Sequence, residues 1–299
     1  MKETTPSVTA LLVAFARSAY TSAPAPLNVA PDPVAGTLLP AGISHLARAT
    51  AVAWRIPALT HGVLHAAGLG FLHHVALRTA AIDGEVAAAF SRWPDDAQLV
   101  VLGAGLDSRA WRLDALSRAN VFEVDHPATQ GYKRSHTAAL RPMARSLRFV
   151  TVNFERDSLQ ECLAAAGHRT DAPTFWLWEG VTQYLHPAAI RATLTAVRAR
   201  SSASSRLALT YATEADVALA PGISTLLHAA ARIAGESLHG LMPSRQMHTL
   251  VEEHGFTVCS DTDGIEWATR FAPTLRRPPS RARERLLVAQ VPGAYTSQA

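Results

Sequence analysis

The sequence predicts an α/β protein in which a doubly wound, mostly parallel, Rossmann-like sheet follows an N-terminal helical cap. Three observations support this prediction. Short apolar, β-branched runs recur from Gln98 onward, helical stretches separate these runs, and residues 1–90 show helical periodicity without a convincing strand. Apolar strands that alternate with helices form parallel sheets covered on both faces. Right-handed crossovers then place ligands at the carboxyl ends of the strands.

Six runs have the composition of buried strands, at residues 98–102, 121–125, 147–152, 174–178, 206–211 and 286–291. Helices are predicted between them at residues 159–166 and 187–199. We therefore divide the chain into a helical cap or lid over residues 1–90 and an α/β core over residues 91–299. A helical insertion at residues 215–245 is expected to contribute to a ligand pocket.

The composition excludes several classes of protein. The chain has 299 residues, of which 48% are hydrophobic and 17% charged, so it can bury a large core and is not mainly disordered. Its 28 Lys and Arg against 24 Asp and Glu give a net charge of +4, a weaker basic balance than a dedicated nucleic-acid-binding face shows. Two cysteines form neither a disulfide scaffold nor a four-cysteine zinc site, which favours a reducing, cytoplasmic compartment.

The N-terminus has weak features of a signal peptide. Residues 8–16 are apolar, and residues 21–25 include small residues of the kind found at a cleavage site. However, Glu3 cancels the charge of Lys2, and Arg17 interrupts the approach to that site. We therefore predict that this segment is not a secretory leader.

Residues 56–77 contain no formally charged residue and are long enough to span a bilayer. They also include Pro57, three glycines and four histidines, which are costly in lipid. The histidines are His61, His65, His73 and His74. We therefore predict that this stretch is a buried helical part of the cap and that the protein is not bound to a membrane.

A glycine-rich turn follows the first predicted strand. Gly103 and Gly105 permit a tight turn and a close approach of a ligand to the backbone, although any strand-to-helix turn can use such a pair. Asp125 ends the second predicted strand about 20 residues later, where a carboxylate can accept hydrogen bonds from both ribose hydroxyls. Ser108 replaces the third small residue of a dinucleotide fingerprint, and Asp107 would repel a phosphate. These residues favour a nucleoside joined to an amino acid, as in S-adenosylmethionine.

Three motifs, in this order, resemble those of the leucine carboxyl methyltransferase family, which includes bacterial carboxyl and hydroxyl O-methyltransferases of polyketides. The motifs are VVLGAGLDSRAWRL at residues 100–113, VFEVDHP at 121–127 and EGVTQYL at 179–185. Further similarity is found at residues 32–35, 78–83, 235–240 and 250–256. The resemblance spans most of the chain and implies a class I methyltransferase core with S-adenosyl-L-methionine as the methyl donor.

The resemblance also implies which residues bind the methionine moiety of the cofactor. Arg78 matches the cap arginine that pairs with the cofactor's carboxylate. Glu179 matches an acidic residue near the cofactor's amino group. Gly103, Ala104 and Gly105 match the loop that lies against the methionine moiety.

Two further matches concern the nucleoside. Asp125 matches the ribose-binding carboxylate of the family. Beside the adenine the family often has Asp-Leu, but this chain has Asn153 and Phe154 after the third predicted strand. Asn can accept from the adenine amino group and donate to a ring nitrogen, and Phe154 can pack on the ring. We therefore expect the site to select adenine even though these two residues differ from those of the family.

The methyl acceptor is expected to bind between the cap and the edge of the sheet. Residues 40–77 and 217–242 carry little charge and suit a pocket for a hydrophobic small molecule. The resemblance to methyltransferases of polyketides implies that this molecule belongs to secondary metabolism. Helices that only pack on each other would have the same composition. Tyr20 and Tyr184 are candidates to orient the acceptor, with Tyr211 as a weaker one.

The first hypothesis for the reaction is methylation of a carboxylate. Methyl transfer from a sulfonium is an in-line displacement, which positioning alone can accelerate by up to about 7–11 kcal/mol. A carboxylate is already ionised, whereas a phenol or alcohol needs a base. Hydroxyl O-methylation on the same fold is the nearest alternative. Protein carboxyl methylation, a dinucleotide oxidoreductase and a non-catalytic nucleotide-binding protein rank lower.

The histidines identify neither a general base nor a metal site. His126, His186 and the histidines of the cap are candidates for a base, but a lone histidine is usually structural. His61 and His65 share one helix face, yet no acidic or cysteine ligand accompanies them in the sequence, so we predict no metal. The arginine-rich residues 276–285 predict an exposed loop without interleaved aromatic residues, so no nucleic-acid partner is predicted. The sequence leaves the oligomeric state open.

Overall fold

The centre of the protein is a seven-stranded sheet with the strand order β3-β2-β1-β4-β5-β7-β6. The strands are β1 (Gln98–Leu102), β2 (Asn120–Asp125), β3 (Ser146–Thr151), β4 (Thr174–Trp178), β5 (Arg206–Tyr211), β6 (Thr257–Asp263) and β7 (Arg285–Gln290). Strands β1 to β5 are parallel, whereas β7 pairs antiparallel with both β5 and β6. This computed structural model describes residues 7–67, 70–153, 156–213, 238–273 and 284–292.

The predicted doubly wound, mostly parallel sheet is confirmed. The chain moves outward from β1 through β2 and β3 on one side, then returns to form β4 and β5 on the other. The central strands β1 and β4 are buried at every position, which explains their unbroken apolar sequences. Strands added after β1 lie first on one side of it and then, from β4, on the other. At this change of side a crevice opens at the carboxyl ends of β1 and β4, where sheets of this kind bind their ligands.

The described residues form ten α-helices. Four precede the sheet: α1 (Val8–Thr21), α2 (Ala41–Ala53), α3 (Pro57–Ala67) and α4 (Phe71–Phe90). Six are interspersed with the strands: α5 (Arg109–Arg112), α6 (Pro127–Thr137), α7 (Leu159–Ala165), α8 (Pro187–Ala199), α9 (Ser244–Glu253) and α10 (Gly264–Phe271).

Helix α4 belongs to the layer that covers one face of the sheet. Its Leu77 and Ile82 are fully buried in the same apolar cluster as Leu99 of β1 and Leu177 of β4. The opposite face carries a second cluster, in which α8 and α9 pack on the strands. Packing on the sheet fixes the position of α4, and therefore of the Arg78 side chain that it carries.

The remaining N-terminal helices pack on α4 and on the loop after β1. Tyr20 of α1, Trp54 after α2 and Val75 of α4 form one buried cluster. Ala14 of α1 and Leu106 of the loop belong to another. Helix α1 is therefore in contact with both the rest of the cap and the carboxyl end of β1.

The prediction that residues 56–77 are buried is wrong for their first part. Ile56, Leu59 and Val63 are between 56% and 60% exposed, whereas residues 72–82 are buried. The difference arises because α4 packs between the sheet and α1, while α3 packs mainly on α2 and α4. No described helix is long and apolar enough to cross a membrane.

Strand β6 has no counterpart among the predicted strands. It lies at the edge of the sheet, and each of its residues is exposed or partly exposed. Its polar sequence therefore lacks the apolar run that identifies a buried strand. Three other predictions lie outside the described residues: Phe154, most of the insertion at 215–245 and most of the arginine-rich residues 276–285.

Candidate functional site

The glycine loop between β1 and α5 is enclosed on two sides. Gly103 and Gly105 have φ angles of 64° and 47°, in the left-handed region that favours glycine. A Cβ atom on Gly103 would lie 2.6 Å from Cγ2 of Val181, which follows β4. A Cβ atom on Gly105 would lie 3.5 Å from Cβ of Ala10 in α1. The loop thus lies between the end of β4 and the first helix of the cap.

Asp125, the last residue of β2, is hydrogen-bonded to this loop. The Gly105 N–H donates to Oδ2 at 2.5 Å, and the His126 N–H donates to Oδ1 at 2.6 Å. Burial raises the pKa of the Asp125 carboxyl, although these two N–H groups oppose the shift. Each carboxylate oxygen can accept a further hydrogen bond, so Asp125 can still bind a ligand.

A buried ion pair involves Glu123, which lies two residues before Asp125 on β2. Nζ of Lys133 in α6 is 2.5 Å from Oε2 of Glu123, and each side chain is 1% exposed. Burial raises the pKa of Glu123 to about 7, and Lys133 opposes that shift. Because the two side chains hold α6 against β2, they support the position of Asp125.

The Arg78 and Glu179 side chains pair with each other at the carboxyl end of β4. The Arg78 Nε donates to Oε1 of Glu179 at 2.9 Å, and its Nη1 donates to Oε2 of Glu284 at 2.5 Å. Glu284 immediately precedes β7. The two residues matched to opposite ends of the cofactor's amino-acid moiety are therefore partners of one another.

Arg109, the first residue of α5, connects this pair to the glycine loop and to α4. Its Nη1 donates to Oε2 of Glu179 at 2.8 Å and also to Oδ2 of Asp107. Its Nε donates to Oδ1 of Asp83 in α4 at 2.7 Å. The side chain is completely buried, so these carboxylates replace the water that a guanidinium needs.

The chain of ion pairs continues to the first helix of the cap. Arg112 Nη1 donates to Oδ2 of Asp83 at 2.7 Å, and its Nε lies 3.5 Å from Oδ2 of Asp32. Arg17 Nε lies 3.4 Å from the same Asp32 oxygen. We call these nine side chains the ionic network: Arg17, Asp32, Arg78, Asp83, Asp107, Arg109, Arg112, Glu179 and Glu284.

The guanidinium groups keep carboxylates of the network ionised. Burial acts to raise the pKa of Glu179, but Arg109 and Arg78 lower it below its usual value. Burial acts in the same direction on Glu284, and Arg78 lowers its pKa to about 2. The pKa of Asp107 is also lowered, by Arg109 against the effect of burial. These three carboxylates are therefore charged at neutral pH.

Asn153, the candidate contact for adenine, and Tyr184, a candidate to orient the acceptor, lie in different segments of the chain. Asn153 follows β3 and is partly buried, and its N–H donates to Oδ2 of Asp157 at 2.7 Å. Tyr184 ends a short 3-10 helix, Thr182–Tyr184, in the segment after Glu179, and is also partly buried.

Tyr20 lies in a buried group that we call the histidine cluster, formed with His61, His65 and His73. The Tyr20 hydroxyl is 3.3 Å from Nδ1 of His61, and its ring stacks on His73 with 5.6 Å between centroids. Burial and the neighbouring histidines lower the pKa of His73 to about 3. In the described part of the chain, no group of three or more His, Cys, Asp or Glu side chains could hold a metal ion.

A second group of polar side chains surrounds Asp261 of β6. The Tyr211 hydroxyl donates to Oδ2 of Asp261 at 2.6 Å, and Nε2 of His248 lies 2.7 Å from the same oxygen. Arg285 Nε donates to Oδ1 at 2.9 Å. Because Tyr211 ends β5 and Arg285 begins β7, this group is near the same edge of the sheet as the glycine loop.

Sequence reasoning missed Glu284, Arg109 and Lys133. Glu284 is the only acidic residue among the arginine-rich residues 276–285, and Lys133 is one of two lysines in the chain. Arg109 lies inside the glycine-loop motif and two residues after Asp107. Glu284 pairs with Arg78, 206 residues away, and Arg109 pairs with Asp83 and Glu179 as well as with the nearby Asp107, so the sequence alone does not identify these partners.

Proteins of related sequence are named provisionally as methyltransferases. A protein from Frankia alni, named provisionally as an S-adenosyl-L-methionine-dependent methyltransferase, is 41% identical over 116 residues, which cover 39% of this chain and 41% of that protein. A protein from Mycobacterium marinum with the same name is 44% identical over 114 residues, covering 38% of this chain and 36% of that protein. The chain thus aligns with less than half of the length of either relative.

A solved structure and a family model extend over more of the chain. A DUF574 family protein from Streptomyces avermitilis has a TM-score of 0.59 at 11% identity, with 96% of this chain and 98% of that protein covered. This likeness shows the fold alone. The family model for leucine carboxyl methyltransferase matches residues 10–198, which include α1, the ionic network as far as Glu179 and all three motifs. The chain therefore belongs to the leucine carboxyl methyltransferase family of class I methyltransferases.

Proposed function

We propose that this chain is an S-adenosyl-L-methionine-dependent O-methyltransferase that methylates a carboxylate of a hydrophobic small molecule. The observation that carries the proposal is the convergence of three features at the carboxyl edge of the sheet. They are the glycine loop, the Asp125 carboxylate bonded to it, and the Arg78–Glu179 pair. A nucleoside joined to an amino acid has groups complementary to all three.

The residues present fit this cofactor, which supplies a methyl group activated by attachment to a sulfonium. Residues 103–105 would lie against the methionine moiety, as the matching loop does in the family. Gly103 itself has no room for a side chain, because a Cβ atom there would lie 2.6 Å from Cγ2 of Val181. Asp125 would accept hydrogen bonds from the ribose hydroxyls. Arg78 and Glu179 would each exchange part of their mutual ion pair for the carboxylate and the ammonium group of the ligand.

The adenine would lie beside Asn153, and we retain Phe154 as its second contact. Asn153 follows β3, whose neighbour β2 ends at Asp125, so the two residues leave adjacent strands at the same edge. A side-chain amide can both accept from the adenine amino group and donate to a ring nitrogen. This pairing would distinguish adenine from bases that lack that pattern.

A carboxylate acceptor needs orientation but no base, because it is already ionised at neutral pH. The family takes its name from methylation of a carboxyl group. Tyr184 is our first candidate to orient the acceptor. Tyr20 is the second, because its hydroxyl already faces His61 within the histidine cluster.

Methylation of a hydroxyl group is the second candidate function, and the group around Asp261 favours it. Asp261 holds His248 in one orientation, as the carboxylate of a catalytic dyad holds its histidine. A phenol or alcohol acceptor needs such a base, whereas a carboxylate does not. On this alternative, His248→Gln would reduce kcat for a hydroxyl acceptor.

Product chemistry tests the proposal and separates the two functions. The protein is incubated with methyl-labelled S-adenosyl-L-methionine and a panel of lipophilic carboxylic acids, phenols and alcohols, and the labelled products are treated with mild alkali. A methyl ester releases labelled methanol, whereas a methyl ether is stable. We expect alkali-labile label on carboxylic acids; an alkali-stable product would contradict carboxyl methylation and support the alternative.

A further inference from the structure

The ionic network contains more negative than positive side chains. Five carboxylates alternate with four guanidinium groups in one continuous chain of ion pairs. Counted at their formal charges, the nine side chains of the network therefore carry one negative charge in excess. One end of this chain is Arg17 of α1, and the other is Glu284 before β7.

Three buried atoms of the network have no hydrogen-bond partner among the residues that the structure describes. They are Nε of Arg17, Nη2 of Arg109, whose side chain is 0% exposed, and Oε1 of Glu284, whose side chain is 11% exposed. Buried polar atoms are usually paired, and an unpaired atom of a charged group is especially costly. The network therefore has the properties of a site that a charged ligand completes.

Asp125 adds to the excess of negative charge beside the glycine loop. Its two oxygens accept hydrogen bonds from backbone N–H groups, and no Lys, Arg or His nitrogen in the described ranges lies within 4.0 Å of them. The nearby Glu123–Lys133 pair contributes no net charge when both are ionised. Among the described residues, the side chains around the proposed cofactor site are therefore negative overall in formal charge.

From this excess of charge we infer that the site selects the cationic methyl donor over its neutral product, and that Glu284 is a specificity-determining residue. This inference rests on the proposed function. The amino-acid part of S-adenosyl-L-methionine is a zwitterion with no net charge, so the sulfonium gives the ligand one positive charge. S-adenosyl-L-homocysteine lacks that charge, and its binding leaves the excess negative charge uncompensated.

The inferred selectivity favours release of the product. In methyl transfer an oxygen–carbon bond forms as the carbon–sulfur bond breaks, and the electron pair of that bond goes to sulfur, which becomes a neutral thioether. The attraction between ligand and network therefore falls as the product forms, which promotes product release. Because the positive charge already decreases in the transition state, the network stabilises the bound donor more than the transition state.

Binding of three ligands of different charge tests the inference in the full-length protein. Isothermal titration calorimetry measures the affinity for S-adenosyl-L-methionine, for sinefungin, which has an ammonium-bearing carbon in place of the sulfonium, and for S-adenosyl-L-homocysteine. The same titrations are made with Glu284→Gln, which removes one charge while keeping an acceptor for Arg78, and with Glu284→Asp, which keeps the charge. Glu253→Gln is the matched control, because Glu253 is 55% exposed on α9.

We expect wild type to bind the two cationic ligands about ten-fold more tightly than the neutral product, since charges a few ångströms apart in such a site interact strongly. Glu284→Gln should bring the ratio of affinities for the cationic ligands and the neutral product close to one. It should also raise KM for the donor without lowering kcat. Glu284→Asp should retain the ratio, and Glu253→Gln should leave it unchanged.

Equal affinity of wild type for the three ligands would overturn the inference, whatever the variants do. A loss of affinity in Glu284→Gln that is the same for all three ligands would also overturn it. In both cases ligand binding would still support the proposed function. Failure of wild type to bind any of the three would instead contradict the proposed function.

Discussion

At the scale of single residues, Asp125 has the most direct role in the proposed cofactor site. Its carboxylate holds the Gly105 and His126 N–H groups and would accept the ribose hydroxyls. Asp125→Asn removes the charge that strengthens these hydrogen bonds, so we expect the affinity for S-adenosyl-L-homocysteine to fall about ten- to hundred-fold. Calorimetry measures this, with the exposed Asp171→Asn as control. Unchanged affinity would remove Asp125 from the site.

The close approach of Gly103 to Val181 gives a second prediction. Gly103→Ala combines a left-handed backbone with a Cβ atom 2.6 Å from Cγ2 of Val181, so we expect a loss of about 1–3 kcal/mol in the free energy of unfolding. Urea denaturation measures it. Adding Val181→Ala should relieve the contact but not the backbone strain, giving a partial recovery.

Gly42→Ala is the control for that experiment. Gly42 lies in α2, and a Cβ atom there would meet nothing within 4 Å. This substitution should be neutral or slightly stabilising, because alanine favours helix. If Gly103→Ala were equally harmless, the loop would not be enclosed as described.

Local motifs identify some of these residues and not others. Gly103, Gly105 and Asp125 have a recognisable spacing after two apolar strands, and Arg78 stands alone at the end of an uncharged stretch. The importance of Glu284 depends on Arg78, which is 206 residues away in the sequence. Such a partner cannot be predicted from one sequence, because only the folded protein brings the residue before β7 to Arg78 of α4.

At the scale of elements, the stability of the packing between α1, α3 and α4 should depend on pH. His73 of α4 is buried, its two ring nitrogens have no partner in the described ranges, and its pKa is lowered to about 3 by burial and the neighbouring histidines. The folded state therefore binds fewer protons than the unfolded state between pH 3 and about 6.5. Stability should consequently fall as the pH decreases below about 6.5.

The substitution His73→Phe tests this dependence. Phenylalanine preserves the stacking on Tyr20 and cannot be protonated, so the variant should lose less stability than wild type between pH 7.5 and pH 5, by about 1–2 kcal/mol. Thermal unfolding at both pH values measures the difference. Exposed His45→Phe should behave as wild type does. An identical pH dependence in His73→Phe would contradict this role of His73.

The elements that the sequence predicts well are those with buried faces. Residues 98–102, 174–178, 206–211 and 187–199 are assigned to their strands and helix with the observed limits, because burial imposes an apolar run or a helical stripe. Strand β6 is half solvated at the edge and has no such pattern. Helix α3 shows the converse failure, since its apolar residues suggested burial but several are exposed.

At the scale of the whole molecule, the ionic network connects the N-terminal helices to the sheet. Arg109 is bonded to Asp83 of α4, to Asp107 of the glycine loop and to Glu179 after β4. Arg109→Met leaves these carboxylates without their shared cation, and breaking a buried pair in this way costs about 3–5 kcal/mol. We expect a loss of that size in the free energy of unfolding.

Urea denaturation provides the measurement, with Arg169→Met as the matched control. Arg169 also bridges two carboxylates, Asp96 and Asp171, but on the surface, where water screens the charges. Its replacement should change stability little. If Arg109→Met were as stable as wild type, the network would not stabilise the packing of the cap on the sheet.

Calorimetric titration of the wild-type protein with S-adenosyl-L-homocysteine, NAD and NADP tests the central claim most directly. The glycine loop, Asp125 and the Arg78–Glu179 pair together fit a nucleoside joined to an amino acid. We predict one molecule of S-adenosyl-L-homocysteine bound per chain and no binding of either dinucleotide. Binding of a dinucleotide without binding of S-adenosyl-L-homocysteine would contradict the account.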